Sequence, residues 1–138
     1  MPYRVVLDTN VLVSSLLGSS GPPAHVVDLA TGGRIVACYD ARILAEYREV
    51  LSRPRFRITP DAIASTLREL AEEGLAVLPA ADTRDLPDES DRPFLEVALT
   101  ADAWLVTGNL RHFPGVPCAI SPRAFLDLIE AHRRGHPG

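Results

Sequence analysis

The sequence predicts an α/β domain of three layers, with helices on both sides of a central, mostly parallel sheet of four to five strands. Three observations lead there. Short apolar runs such as Tyr3 to Asp8 and Trp104 to Thr107 alternate with amphipathic segments of helix length. The strands are unbroken apolar stretches rather than alternating ones, as expected where helices cover both faces. Strands separated by helices pair in parallel through right-handed crossovers. At 138 residues, 46% hydrophobic and 23% charged, the chain fits one domain with a real core and lies outside the disordered class.

Strand one spans Tyr3 to Asp8, and a helix from Asn10 to Leu17 breaks at Gly18-Ser19-Ser20-Gly21. Pro22-Pro23 opens a second helix through Thr31, with proline at its start and Gly32-Gly33 past its end. Arg34 to Tyr39 is a short apolar strand. Asp40 caps the next helix, Ala41 to Ser52, which stops before Pro54. Thr59-Pro60-Asp61 starts another, running to Glu73 and closing at Gly74. Leu75 to Leu78 is a third strand, and Pro79 to Ser90 is a polar connection rich in Pro and Asp. Arg92 to Ala101 is helical, Trp104 to Thr107 a fourth strand, and Pro117 to Ser121 a fifth. Ser121-Pro122 opens the last helix, to Arg133. A single domain over residues 1–134 is expected, with 135–138 as a flexible tail.

The formal net charge of −4 does not advertise a nucleic-acid binder, though bulk charge decides little when acids gather at one site. Every basic residue apart from histidine is arginine. The absence of lysine excludes a Walker P-loop and any Schiff-base or lysine general-base mechanism. Cys38 and Cys118 stand far apart in apolar segments without metal-type spacing, and read as buried free thiols. No stretch approaches the roughly 20 apolar residues of a membrane span. With no charged-then-apolar leader before strand one, a cytoplasmic location is expected.

Polar chemistry in an open α/β sheet gathers at the carboxyl ends of the strands. Asp8 closes strand one, and its ordinary alternative is a cap for the helix that follows. Glu46 lies on or beside the helix face that Ile43, Tyr47, Val50 and Leu51 bury. A carboxylate there needs a cation, a metal or a shifted pKa, unless it reaches solvent or pairs with Arg42 or Arg53. Asp91 immediately precedes a helix, where capping is again the ordinary alternative; Asp88 and Glu89 read equally as solvated loop acids. Thr107-Gly108-Asn109 follows strand four at the same sheet edge as Asp8, or is no more than a glycine turn. Three converging carboxylates in a chain without lysine repel one another unless a divalent cation compensates them. Oxygen ligands suit Mg²⁺ or Mn²⁺ better than Zn²⁺, and such a site activates water at a phosphoryl centre. Metal-dependent phosphodiester hydrolysis is the natural reaction class.

Four pieces stand in order: Leu7-Asp8-Thr9-Asn10-Val11-Leu12; Ile43-Leu44-Ala45-Glu46-Tyr47 with Val50-Leu51-Ser52-Arg53-Pro54; Asp91-Arg92-Pro93-Phe94-Leu95-Glu96-Val97-Ala98-Leu99; and Leu105-Val106-Thr107-Gly108-Asn109, leading into Arg111-His112-Phe113. Together they resemble the PIN-domain family, in particular bacterial toxin components of toxin–antitoxin systems (VapC-like ribonucleases). The resemblance covers Tyr3 to about Leu128. It implies a PIN-like fold, an acidic pocket binding Mg²⁺ or Mn²⁺, and ribonuclease activity. Asp8, Glu46 and Asp91 match the catalytic, metal-binding acids, and Asn109 a metal position where many relatives have Asp. Thr9, Asn10 and Thr107 match positions that support the pocket through hydrogen bonds, and Asp88 remains as an outer-shell acid. The resemblance also implies a cognate antitoxin and a homodimer.

Arg53-Pro54-Arg55-Phe56-Arg57 gathers three guanidinium groups beside an aromatic ring, and Arg111 follows Asn109. These are candidate RNA contacts, or else a solvated basic loop with Phe56 in the core. Two other readings stay open: an RNA-processing nuclease without an antitoxin, and a decayed module that binds RNA or protein without cutting, which the neutral Asn109 keeps alive. A phosphatase or receiver-type domain normally needs a lysine near the phosphate, which this chain lacks.

Overall fold

The computed structural model describes residues 2–18 and 20–135. Among them, five strands form one all-parallel sheet in the order β3-β2-β1-β4-β5. These are β1 (Arg4–Leu7), β2 (Val36–Tyr39), β3 (Leu75–Ala76), β4 (Trp104–Val106) and β5 (Ala119–Ile120). Helices α1 (Thr9–Leu16), α2 (Pro22–Thr31), α3 (Ala41–Leu51), α4 (Pro60–Glu73), α5 (Arg92–Ala101) and α6 (Pro122–Gly135) flank the sheet. The result is the three-layer α/β/α architecture expected from the sequence. Helix α5 lies across β1, β2 and β4, while α2 packs against α1, α4 and α6.

The chain order explains where a site can form. From β1 the sheet grows outward through β2 to β3, then the chain returns to place β4 on the other side of β1. The crevice at that reversal, beyond the carboxyl ends of β1 and β4, is the usual ligand position in an open α/β sheet. Leu7 pairs with Val106 in register, and the Asp8 N–H donates to the Val106 carbonyl at 2.9 Å. Segments about a hundred residues apart in sequence therefore leave the sheet side by side.

The core that fixes this edge is aliphatic and aromatic. Val5, Val6, Leu7, Leu12, Ile43, Leu51, Phe94, Leu95, Leu105 and Phe125 are essentially inaccessible to solvent. Gly74 joins α4 to β3 where no side chain fits, since a Cβ there would meet the carbonyl oxygens of Ala37 at 2.2 Å and Leu70 at 2.4 Å. Cys38 and Cys118 are free thiols, the first buried and the second half-buried. None of the described helices is long and apolar enough to cross a membrane.

Several boundaries differ from the sequence reading. The edge strands β3 and β5 are shorter than their apolar runs, because each has a neighbour on one side only. A single 3-10 turn, Glu89–Asp91, leads into α5. Helix α6 continues through Gly135, the first residue of the expected tail, with Arg133 and Arg134 paired to Glu130 one turn back. Residues 136–138 of that tail lie outside the described residues. The connection before α5 is polar but tied down: Ala80 N–H donates to Thr100 Oγ1, Asp82 N–H to Glu96 Oε2, and the Arg92 guanidinium to the carbonyls of Asp82 and Arg84.

Candidate active site

Asp8 sits at the mouth of the β1–β4 crevice, 5% exposed. It caps α1 by accepting from the Thr9 N–H at 2.8 Å through Oδ1, so its capping role is real. The cap occupies one oxygen. Oδ2 accepts from the Thr107 hydroxyl at 2.7 Å and, at a longer 3.4 Å, from Asn10 Nδ2. Thr107 is fully buried, and its oxygen in turn accepts from the Asn109 N–H at 3.0 Å. Burial pushes the Asp8 carboxyl above its ordinary value, opposed by the Thr107 hydroxyl, the Thr9 amide and the charge of His112.

Glu46 projects from the border of the α3 face that buries Ile43, Tyr47 and Leu51. Its oxygen Oε2 accepts from the Thr9 hydroxyl at 2.6 Å. Neither arginine considered as its partner takes that role: Arg42 pairs with Asp40 and Glu96, and Arg53 with Glu49. Thr9 thus bridges two carboxylates, with its amide on Asp8 and its hydroxyl on Glu46. Tyr47 is fully buried beneath them and donates to the Leu7 carbonyl at 2.5 Å. Burial first, then the charges of Asp8 and Glu46, raise its hydroxyl well above the ordinary phenol value.

Asp91 is 7% exposed at the start of α5, in helical backbone conformation and without a capping hydrogen bond from its side chain. Asp88 does the capping instead, accepting from the Ser90 N–H at 2.9 Å. Burial and the nearby charge of Asp8 raise the Asp91 pKa from 3.8 to about 6; Asp88 adds to the rise, and His112 opposes it. His112 Nδ1 stands 3.0 Å from the buried Asp91 Oδ2, an ion-pair contact and the one polar partner of that oxygen among the described residues.

Residues 4–111 match the family model of the PIN domain. The chain belongs to the PIN domain family. PIN domains are generally nucleases and typically bind divalent metals. A protein of Methanocaldococcus jannaschii, described as uncharacterized, is 28% identical over 109 residues, covering 77% of this chain and 70% of that protein. No solved structure matches the chain.

In this PIN domain Asp8 and Asp91 lie close enough to perturb each other, and Glu46 joins them through Thr9. Among the described residues, no three His, Cys, Asp or Glu side chains are grouped closely enough to hold one metal ion. The fit to a divalent cation rests on the Asp8–Asp91 pair. Its donors are hard oxygens, both carboxylates are buried, and their charges repel.

The remaining candidates fall in different places. Arg53 is paired with Glu49, Arg55 lies over the Phe56 ring at 4.9 Å, and Arg57 takes a left-handed backbone (φ 54°). All three are exposed, as is Arg111, and Phe56 is half-buried under its arginine. None of them contacts the acids. A cavity of about 440 Å³ lies between α3 and α4, lined by Leu44, Ile58, Ile63 and Leu67 with Arg48 and Arg68, and shares no residue with the acidic site. A second, of about 240 Å³, borders the site and is lined by Asn10, Ser14, Pro23, Gly108, Asn109 and Pro122. The contact of His112 with Asp91 was not legible in the sequence, because nothing in the spacing shows that the 3-10 turn Leu110–His112 folds back on the start of α5.

Proposed function

We propose that this PIN domain is a Mg²⁺- or Mn²⁺-dependent endoribonuclease and the toxin of an antitoxin-paired system. The observation that carries the nuclease reading is the buried Asp8–Asp91 pair at the β1–β4 switch point, where burial and the charge of Asp8 raise the pKa of Asp91 to about 6 against the opposing contact of His112. A cation between such carboxylates replaces repulsion with attraction.

Asp8 and Asp91 would hold the cation, with Glu46 completing the acid set through Thr9. When bound, the metal supplies Lewis-acid charge at the scissile phosphate and lowers the pKa of water. The protein's own groups do the positioning. Thr107 and Asn10 fix one oxygen of Asp8, and the Thr9 amide fixes the other. The Thr9 hydroxyl holds Glu46 at the border of α3, turned toward the crevice rather than to solvent arginines. Asp88 steadies the turn that presents Asp91. The role as an antitoxin-regulated toxin, acting as a cytoplasmic homodimer, is supported by the likeness of the four motifs to such toxins.

Incubating the purified protein with RNA and Mn²⁺, with and without EDTA, tests this reading. Cleavage should require the metal and disappear in Asp8→Asn. Cleavage indifferent to both would overturn it.

A further inference from the structure

We infer that the 240 Å³ cavity beside Asp8 is a subsite for one nucleobase of the RNA, read by Asn109 and Ser14. The inference rests on the nuclease reading above and assigns a specificity pocket to it.

Position comes first. Asn10 forms the wall between the acids and the cavity: its Nδ2 faces Asp8 Oδ2, and its Oδ1 accepts from the Gly108 N–H at 3.2 Å. A chain whose phosphate lies at Asp8 therefore has the adjoining cavity within reach of a neighbouring base. Size comes second. At about 240 Å³ the space falls below the roughly 300 Å³ where pockets for drug-sized ligands begin, so it admits a single ring system rather than a whole nucleotide.

Chemistry selects the base over the phosphate. No charged side chain lines the cavity. Val11, Pro23 and Pro122 give it an apolar lining, the two prolines occupying first-turn positions of α2 and α6. Proline carries no N–H, so Pro22, Pro23 and Pro122 each remove an amide donor from these helix starts and weaken them as anion cradles. The Ala124 N–H of α6 is already taken by Ser121 Oγ at 3.1 Å. An apolar lining of this kind suits the face of a base. Asn109 and Ser14 line the same space, and their side chains make no hydrogen bonds among the described residues. A carboxamide presents a donor and an acceptor side by side, matching the edge of a base. Recognition of unstacked bases in single-stranded RNA uses this combination of face and edge.

The test separates base binding from catalysis. The full-length protein, in EDTA, is titrated with each of the four ribonucleosides, with ribose 5-phosphate and with inorganic phosphate, while NMR follows the amides of Ser14, Gly108 and Asn109. At least one nucleoside should shift these resonances and neither phosphate probe should. Asn109→Ala should weaken that nucleoside about five-fold, the loss of one modest hydrogen bond, and Ser14→Leu should fill the cavity and abolish the shifts. Proton spectra of both variants establish that they fold. In the Mn²⁺ assay, the same two variants should redistribute cleavage among bases at the site. Phosphate-induced shifts without nucleoside shifts, or nucleoside shifts untouched by both variants, overturn the subsite. Failure of the nuclease reading shows separately, as RNA left intact by the wild type with Mn²⁺.

Discussion

Replacing Asp91 by Asn should make the metal-free protein more stable at neutral pH, even though Asp91 belongs to the proposed catalytic centre. The folded-state pKa of Asp91 is about 6, against 3.8 for the ordinary group. The folded chain therefore binds its proton more tightly than the unfolded chain does. Stability is fully present below about pH 4, falls as the pH rises through about 6, and stays lower above it. That difference corresponds to about 2–3 kcal/mol, which already includes the opposing attraction of His112. Asn keeps the shape and removes the charge. For a domain of this length each kcal/mol moves the melting temperature by about 3–4 °C, so Asp91→Asn should melt about 6–12 °C higher at neutral pH in EDTA. The gain should shrink as the pH falls below 6 and vanish by about pH 3, where the wild-type carboxyl is largely protonated in both states. Thermal unfolding by circular dichroism across this pH range provides the measurement. A second arm adds Mn²⁺, which should raise the melting temperature of the wild type and leave the variant nearly unmoved. A variant no more stable than wild type at neutral pH, or a gain that persists unchanged in acid, would refute the reasoning.

Three further substitutions probe the supports of the site. Thr107→Val removes the hydroxyl that Asp8 Oδ2 accepts; Mn²⁺ affinity by titration calorimetry should fall about ten-fold or more, with the fold preserved. Tyr47→Phe leaves the Leu7 carbonyl without its phenolic donor in a buried setting and should cost about 1–2 kcal/mol in urea unfolding. Gly74→Ala drives a methyl group into two backbone carbonyls and should destabilise by about 1–3 kcal/mol or more, first seen as faster amide exchange in β3.

Much of this arrangement was legible in the sequence because it depends on local pattern. Apolar runs marked the strands, and their parallel pairing followed from the helices between them, while the order β3-β2-β1-β4-β5 did not. The spacing of Ile43, Tyr47 and Leu51 put Glu46 at the border of a buried face, where it stands. What sequence could not show were meetings between distant segments. Arg42 was a candidate partner for Glu46, yet it reaches Glu96, 54 residues away, because α3 and α5 pack together. Asp91 looked like a helix cap, yet the 3-10 turn before α5 passed that task to Asp88 and left the Asp91 carboxylate buried. Asp8 was posed as cap or site residue; its two oxygens divide the work, one capping α1 and one facing Thr107.

The bond from Thr107 to Asp8 spans 99 residues of chain. Acids at positions 8 and 46 leave the ribosome early, but the crevice between β1 and β4 does not exist until the last third of the chain has been made and inserted beside β1. Long-range parallel pairing of this kind is slow to form. A nascent or prematurely terminated chain would carry every acidic residue of the centre and still lack the centre itself. The order of the strands thereby makes assembly of the acidic crevice one of the last events in the making of the chain.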